Sequence, residues 1–136
     1  MRLLRLLILE DDLETVSKIF EELAKLENKF VDKKEIEIST IVISESPQVD
    51  ELINQNPTLD FDIILLDRDC KIGGSFHNLD IQRFGTNKII GISSVPEYND
   101  ELIIKGVTKI VHKDYKNLND FAKKVVWYIE QILLEN

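Results

Sequence analysis

Short, continuous apolar runs alternate along this chain with longer stretches in which apolar residues recur every three to four positions. No other feature constrains the fold as much, because strand-like and helix-like segments in strict succession build βαβ units around a parallel sheet. The strand candidates span residues 3–9, 36–43, 61–66, 88–92 and 109–111. Several are apolar at consecutive positions, the pattern of strands covered on both faces. Between them Leu13, Val16, Phe20, Leu23 and Ala24 recur at helical spacing, and Ser46 and Pro47 offer a second helix its cap and first-turn proline. The segment 100–105 stops at Gly106, a C-terminal cap. Leu118, Phe121, Ala122, Val125, Val126, Ile129, Ile132 and Leu133 form one stripe along a last helix. With right-handed crossovers, five such strands make a doubly wound α/β sheet of order 2-1-3-4-5 with helices on both faces.

No repeat, low-complexity tract or long Gly/Ser/Pro linker divides the chain, so residues 1–136 read as one domain. With Lys+Arg at 17 against Asp+Glu at 25, the net charge is −8, which disfavours nucleic acid and anionic lipid as partners. Cys70 is the only cysteine, which excludes a disulfide within the chain and fits a reducing compartment. The start imitates a secretory signal, but Arg5 interrupts the apolar run and Glu10, Asp11 and Asp12 follow at once. No stretch approaches the ~18 apolar residues of a membrane span. The expected location is the cytoplasm.

Ligands of a doubly wound sheet bind outside the carboxyl ends of its strands, where strand order reverses. Here the first strand runs into Glu10, Asp11 and Asp12, and the third into Asp67. If those strands are neighbours, Asp11 and Asp67 face each other across a narrow crevice and repel. A hard divalent cation relieves that conflict, and an all-oxygen site that keeps waters suits Mg²⁺. The fourth strand ends in Ser93 and Ser94 and the fifth in His112 and Lys113. Carboxylates, a cation, a hydroxyl and an ammonium at one edge make a phosphoryl site with Asp67 as acceptor, because the transferred group needs its equatorial charge neutralised.

The blocks 7–12 (LILEDD), 61–67 (FDIILLD), 89–94 (IIGISS) and 106–113 (GVTKIVHK) resemble, in order and over nearly the whole chain, the four signature segments of response-regulator receiver domains. The resemblance implies a flavodoxin-like receiver fold and a stand-alone switch of two-component signalling. In such a switch Asp67 accepts phosphate from a histidine kinase or phosphotransfer protein. It also implies that Glu10, Asp11, Asp67 and the main-chain carbonyl of Asp69 hold Mg²⁺, that Ser93 is the switch hydroxyl, and that Lys113 contacts the phosphoryl oxygens. Ser93 is preferred to Ser94 because it directly follows the apolar run. Chemistry is expected only as self-phosphorylation and autodephosphorylation at Asp67, without turnover of an external substrate. Output then falls to contact with a downstream protein, with a homodimer among the options.

The departures concern output. Family members carry an aromatic three residues before the lysine, where this chain has Ile110, and a proline after the lysine, where it has Asp114. A trans bond at Asp114 is expected. The loop after Asp67 reads RDCKIGG, and the short interval to Ser93 implies a third helix that is short or distorted. Two other readings stay open: a pseudo-receiver that keeps the fold without phosphorylation, and a small phosphohydrolase, since Asp67-Arg68-Asp69 resembles the Asp-x-Asp pair of haloacid-dehalogenase-like enzymes.

Other residues carry less. Asp12 is the expected cap of the first helix rather than a ligand. Cys70 and His77 are too few for zinc. Gly73 and Gly74 allow a tight turn and would suit a loop that rearranges. At 100° per residue Trp127 lies opposite the last helix's stripe, near Leu134, and offers a partner contact.

Overall fold

The computed structural model describes residues 2–31 and 36–135. The main strands and helices follow in order. They are β1 (Arg2–Leu9), α1 (Leu13–Val31), β2 (Ile36–Ile43), α2 (Ser46–Gln48) continuing as a π-helical stretch (Val49–Asn54), β3 (Ile63–Leu66), α3 (Ile81–Phe84), β4 (Ile89–Gly91), α4 (Pro96–Ile104), β5 (Lys109–Ile110) and α5 (Leu118–Glu135). The sheet has the order β2-β1-β3-β4-β5. All four strand pairs are parallel, with Leu9 opposite Leu66 and Gly91 opposite both Leu66 and Ile110.

The consecutive apolar positions of the strands divide between two cores, as the pleat requires. Leu4, Leu6, Ile8, Ile63, Leu65 and Ile90 pack on the side of α1 and α5, while Leu7, Leu9, Ile64, Leu66 and Ile89 face α2, α3 and α4. All eight residues of the α5 stripe are buried. In α1 the buried apolar set is Val16, Ile19, Leu23 and Leu26, whereas Leu13 and Phe20 are exposed at 79% and 39% and Ala24 is also outside. The helix is therefore rotated from the expected face. Ile19 and Leu26 complete a set at the same three-to-four spacing, and that set meets the sheet.

Three other expectations are corrected. β3, β4 and β5 are shorter than the apolar runs that announce them. At the start of β3, Asp62 still exchanges hydrogen bonds with Arg5, its N–H donating to the Arg5 carbonyl at 2.9 Å and its carboxylate accepting from Arg5 N at 2.8 Å. Ser46 is not the cap of α2 but its first residue; Glu45 holds the cap position without a side-chain bond, and the Ser46 hydroxyl sits 3.3 Å from Asn78 Oδ1. α4 begins at Pro96, earlier than the 100–105 segment, and does end as expected. Gly106 N–H donates to the Ile103 carbonyl and Val107 N–H to that of Leu102, both at 3.0 Å, with Gly106 at φ 105°. That is the paired closure for which a left-handed residue after the helix is needed.

The loop after β3 is fastened rather than free. Asp69 bridges Ser75, Ile72 bridges Glu45, and Phe76 is fully buried in the α2–α4 core. Gly73, at φ 87°, lies so close to α2 that an added Cβ would stand 2.7 Å from Ser46 Cβ. α3 spans four residues, short as expected.

Candidate functional site

Hydrogen bonds beyond the strand ends carry the sheet into the site. Glu10 N–H donates to the Ile43 carbonyl at 3.2 Å, Asp67 N–H to Leu9 at 3.0 Å, and Lys113 N–H to Ser93 at 3.2 Å. Glu10, Asp67 and Lys113 thus inherit the register of β1, β3 and β5.

Their side chains meet in a triad shut off from water. Lys113 Nζ donates to Asp67 Oδ2 at 2.6 Å and also pairs with Glu10 Oε1, and the Lys113 and Glu10 side chains are both 0% exposed. The other Glu10 oxygen accepts the Asp11 and Asp12 amides at 2.9 and 3.1 Å. Asp67 Oδ1 accepts the Asp69 amide at 3.1 Å, and Asp11 Oδ2 the Lys71 amide at 2.8 Å. Buried charges persist only when paired and hydrogen-bonded in this way.

The electrostatics follow from the geometry. Burial raises the Glu10 carboxyl to about 8, repulsion from Asp67 adds to the rise, and Lys113 opposes it. Burial works against the Lys113 charge too, but Glu10 and Asp67 outweigh it and hold the ammonium above its ordinary value. Once Glu10 is ionised, one cation between two buried carboxylates leaves the triad one positive charge short.

Asp11 stands beside the triad, and carboxylate oxygens of Glu10, Asp11 and Asp67 lie within 4.8 Å of one another, a group able to hold a metal ion. Asp11 and Asp67 border a cavity of about 140 Å³ that Asp12, Asp69, Cys70, Lys71 and Tyr115 also line. The donors are all oxygen, which fits a hard divalent cation rather than zinc.

The remaining expected residues take separate places. Asp69 is at the cavity wall, exposed. Ser93 is fully buried beside β5, and its hydroxyl oxygen accepts the Val95 amide at 3.1 Å. Asp12 caps α1, its Oδ2 accepting from Thr15 N at 3.1 Å and from the Thr15 hydroxyl at 2.5 Å. Cys70 is buried, its thiol raised by burial and donating to the Ile72 carbonyl at 3.0 Å, while His77 is exposed. The Lys113–Asp114 bond is trans.

Three residues escaped the sequence reading. Tyr115 places its ring 5.4 Å from Lys113 Nζ at the mouth of the cavity. Arg68 is 7% exposed although it follows Asp67 directly. Asn99 binds both backbone groups of Ser93, accepting from its N–H at 3.3 Å and donating to its carbonyl at 3.0 Å. An aromatic two residues after a buried lysine, and an amide one turn into a helix that follows a strand-end serine, were the available signals.

No family model matches the sequence, and no curated protein matches it. Solved structures do. The bacteriophytochrome response regulator AtBRR aligns with a TM-score of 0.63 at 16% identity, over 97% of this chain and 94% of its own. The Mn(2+)-bound form of response regulator Rcp1 aligns at 0.62 and 14% identity, over 89% and 90% of the two chains. A CheY-like response regulator receiver domain from Methylobacillus flagellatus aligns at 0.60 and 14%, over 96% and 99%. With β2-β1-β3-β4-β5 order, five parallel strands and near-complete coverage of both chains, the fold of this protein is the fold of response regulator receiver domains.

Proposed function

We propose that this chain is a phosphorylation-controlled signalling switch that accepts a phosphoryl group on Asp67 from a histidine kinase or phosphotransfer protein. The observation that carries the reading is the convergence of Asp67, Glu10, Asp11 and Lys113 at one edge of a receiver-type sheet. In the transfer an Asp67 oxygen attacks phosphorus, the bond from phosphorus to the donor imidazole nitrogen breaks, and the imidazole leaves with that electron pair. An acyl phosphate forms. Water later attacks phosphorus, inorganic phosphate departs, and the carboxylate returns.

The protein's own groups prepare this step. Lys113 is already on Asp67 Oδ2 and stands ready to follow charge onto the incoming oxygens. Asp11 and Asp67 both border the cavity and belong to the carboxylate group able to hold a metal ion, so in this reading they and the Asp69 carbonyl would be the direct ligands for Mg²⁺, with Glu10 acting through water. The bound cation supplies neutralisation of phosphoryl charge. Ser93, at the end of β4, offers its hydroxyl hydrogen to the phosphoryl group, since its oxygen is the part engaged with Val95. Beyond this self-modification the chain is not an enzyme in our reading, and its output is a protein contact made in the cytoplasm.

A pseudo-receiver is the second reading, favoured by one observation: Lys113 already engages the Asp67 carboxylate together with Glu10. Incubation with Mg²⁺ and a small-molecule phosphodonor separates the two. The switch gains one phosphoryl group by intact mass, labile to hydroxylamine and lost in Asp67→Asn. A protein that neither gains a phosphoryl group nor consumes the donor is a pseudo-receiver, and one that turns the donor over steadily without accumulating a phosphoryl group is a phosphohydrolase.

A further inference from the structure

Arg68 is joined to Asp67 by one peptide bond, yet its side chain is committed to α4. Its Nη1 pairs with Glu101 Oε2 at 2.9 Å, its Nε donates to Ser75 Oγ at 3.3 Å, and its guanidinium carbon lies 5.3 Å from the Tyr98 ring centroid. The side chain is 9% exposed, against 44% for Glu101. A guanidinium is buried at this level only where its charge and plane are both matched, and here a carboxylate matches the first and a ring the second. The pairing holds the Glu101 carboxyl below its ordinary value, through its bond to Arg68 first.

The same turn of α4 is tied to the neighbouring strand end. Asn99 clamps both backbone groups of Ser93, whose carbonyl also accepts from Lys113 N. Residues 98, 99 and 101 therefore receive two struts, one from the residue after Asp67 and one from Ser93. Ile110 has neither ring nor hydroxyl to move in response to the site, and it packs against the α2–α4 core.

We infer that Arg68 is a positioning residue that couples the Asp67 site to α4, so that loading the site appears as a change at residues 98–102. The inference rests on the acceptor role proposed above for Asp67. Its physical basis is competition: a phosphoryl group adds negative charge one residue from Arg68, while Glu101, half-exposed and screened, is the weaker anchor. A shift of residues 67–69 or a partial release of Glu101 alters the support of α4 at the same place.

The test is amide NMR of the full chain with Mg²⁺ and beryllofluoride, comparing the unmodified protein with Glu101→Gln, Arg68→Gln and Arg68→Lys. The unmodified protein should shift at residues 67–71 and at 98–102. Glu101→Gln and Arg68→Gln should keep the shifts at 67–71, at the same beryllofluoride concentration, and lose more than half of those at 98–102. Arg68→Lys, which restores the charge without the planar stack, should fall between. Shifts in α4 of full size in both neutralising variants overturn the coupling, as does an unmodified protein that loads without any response in α4. No shift at 67–71 in the unmodified protein removes the acceptor role itself and the coupling with it. Because Glu101 is at the surface, Glu101→Gln decides the matter if Arg68→Gln does not fold.

Discussion

Lys113 and Glu10 lie 103 residues apart in the chain, and their side chains form an ion pair from which water is wholly excluded. The pair joins the end of β5 to the end of β1 across β3 and β4, with Asp67 as the third member.

The raised Glu10 carboxyl makes stability fall with pH. Its value rises from 4.5 to about 8 in the folded protein, so the native state binds a proton that the unfolded chain has already lost. The contribution is complete below about 4.5 and disappears as pH rises through about 8. Metal-free protein should therefore show its denaturation midpoint decline across that window. Glu10→Gln should flatten the decline; an equally steep profile in the variant would assign the proton elsewhere. Divalent cation favours the ionised form, so Mg²⁺ binding should release protons between those limits, measurable by calorimetry in buffers of different ionisation enthalpy.

Removing the ammonium should cost more than removing a carboxylate. In Lys113→Met the Asp67 carboxylate is left in a dry site beside Glu10 with no counter-charge, and a broken buried pair costs about 3–5 kcal/mol. Mg²⁺ supplies the missing charge. The expected outcome is a large loss of stability at neutral pH that Mg²⁺ partly reverses, with a greater gain on adding Mg²⁺ than in the unmodified protein. Equal gains in both would show that the cation does not bind against these carboxylates.

Two adjacent glycines should differ sharply. Gly73 and Gly74 both have positive φ, at 87° and 80°, but a Cβ at Gly73 meets Ser46 at 2.7 Å whereas one at Gly74 meets nothing within 4 Å. Gly74→Ala should cost about 1 kcal/mol, the backbone penalty alone. Gly73→Ala should cost more and should disturb the Ile72–Glu45 bridge, seen as faster exchange of the Ser46 amide, which donates to the Ile72 carbonyl. Equal losses at the two positions would remove the packing argument.

The extent to which this architecture is legible in the sequence varies by element for physical reasons. Strands buried on both faces cannot hide, since Ile63, Ile64, Leu65 and Leu66 leave no polar position, and their order follows from crossover handedness. The α1 face is misread because Leu13 and Phe20 repeat at the same spacing as Ile19 and Leu26; which set is buried depends on the sheet beneath. Strand ends announce Glu10, Asp11, Asp67 and Lys113, whose positions follow from backbone register alone. Arg68, Asn99 and Tyr115 act through side-chain contacts with residues in other elements or across the site, and no local period encodes such contacts.

The last prediction concerns where phosphorylation is felt. Trp127 is 53% exposed, stacks edge-on against Tyr128 at 5.1 Å, and borders a hollow of about 230 Å³ between α1 and α5 with Lys25, Lys29 and Glu130. Between that hollow and Asp67 lies the buried α1–α5 core, and a close-packed core of this kind resists rearrangement. The loop after Asp67 differs, since Lys71 N–H is bonded to Asp11 and Asp69 N–H to Asp67 itself. Beryllofluoride and Mg²⁺ should therefore change hydrogen exchange across residues 70–84 and in α4, leaving α5 around Trp127 unaltered. Trp127→Ala should leave both the exchange response and the stability of the fold close to those of the unmodified protein, while weakening any partner that docks on the α1–α5 face in either state. Protection changes confined to α5, with residues 70–84 silent, would place the phosphorylation-dependent surface on the opposite side of the sheet.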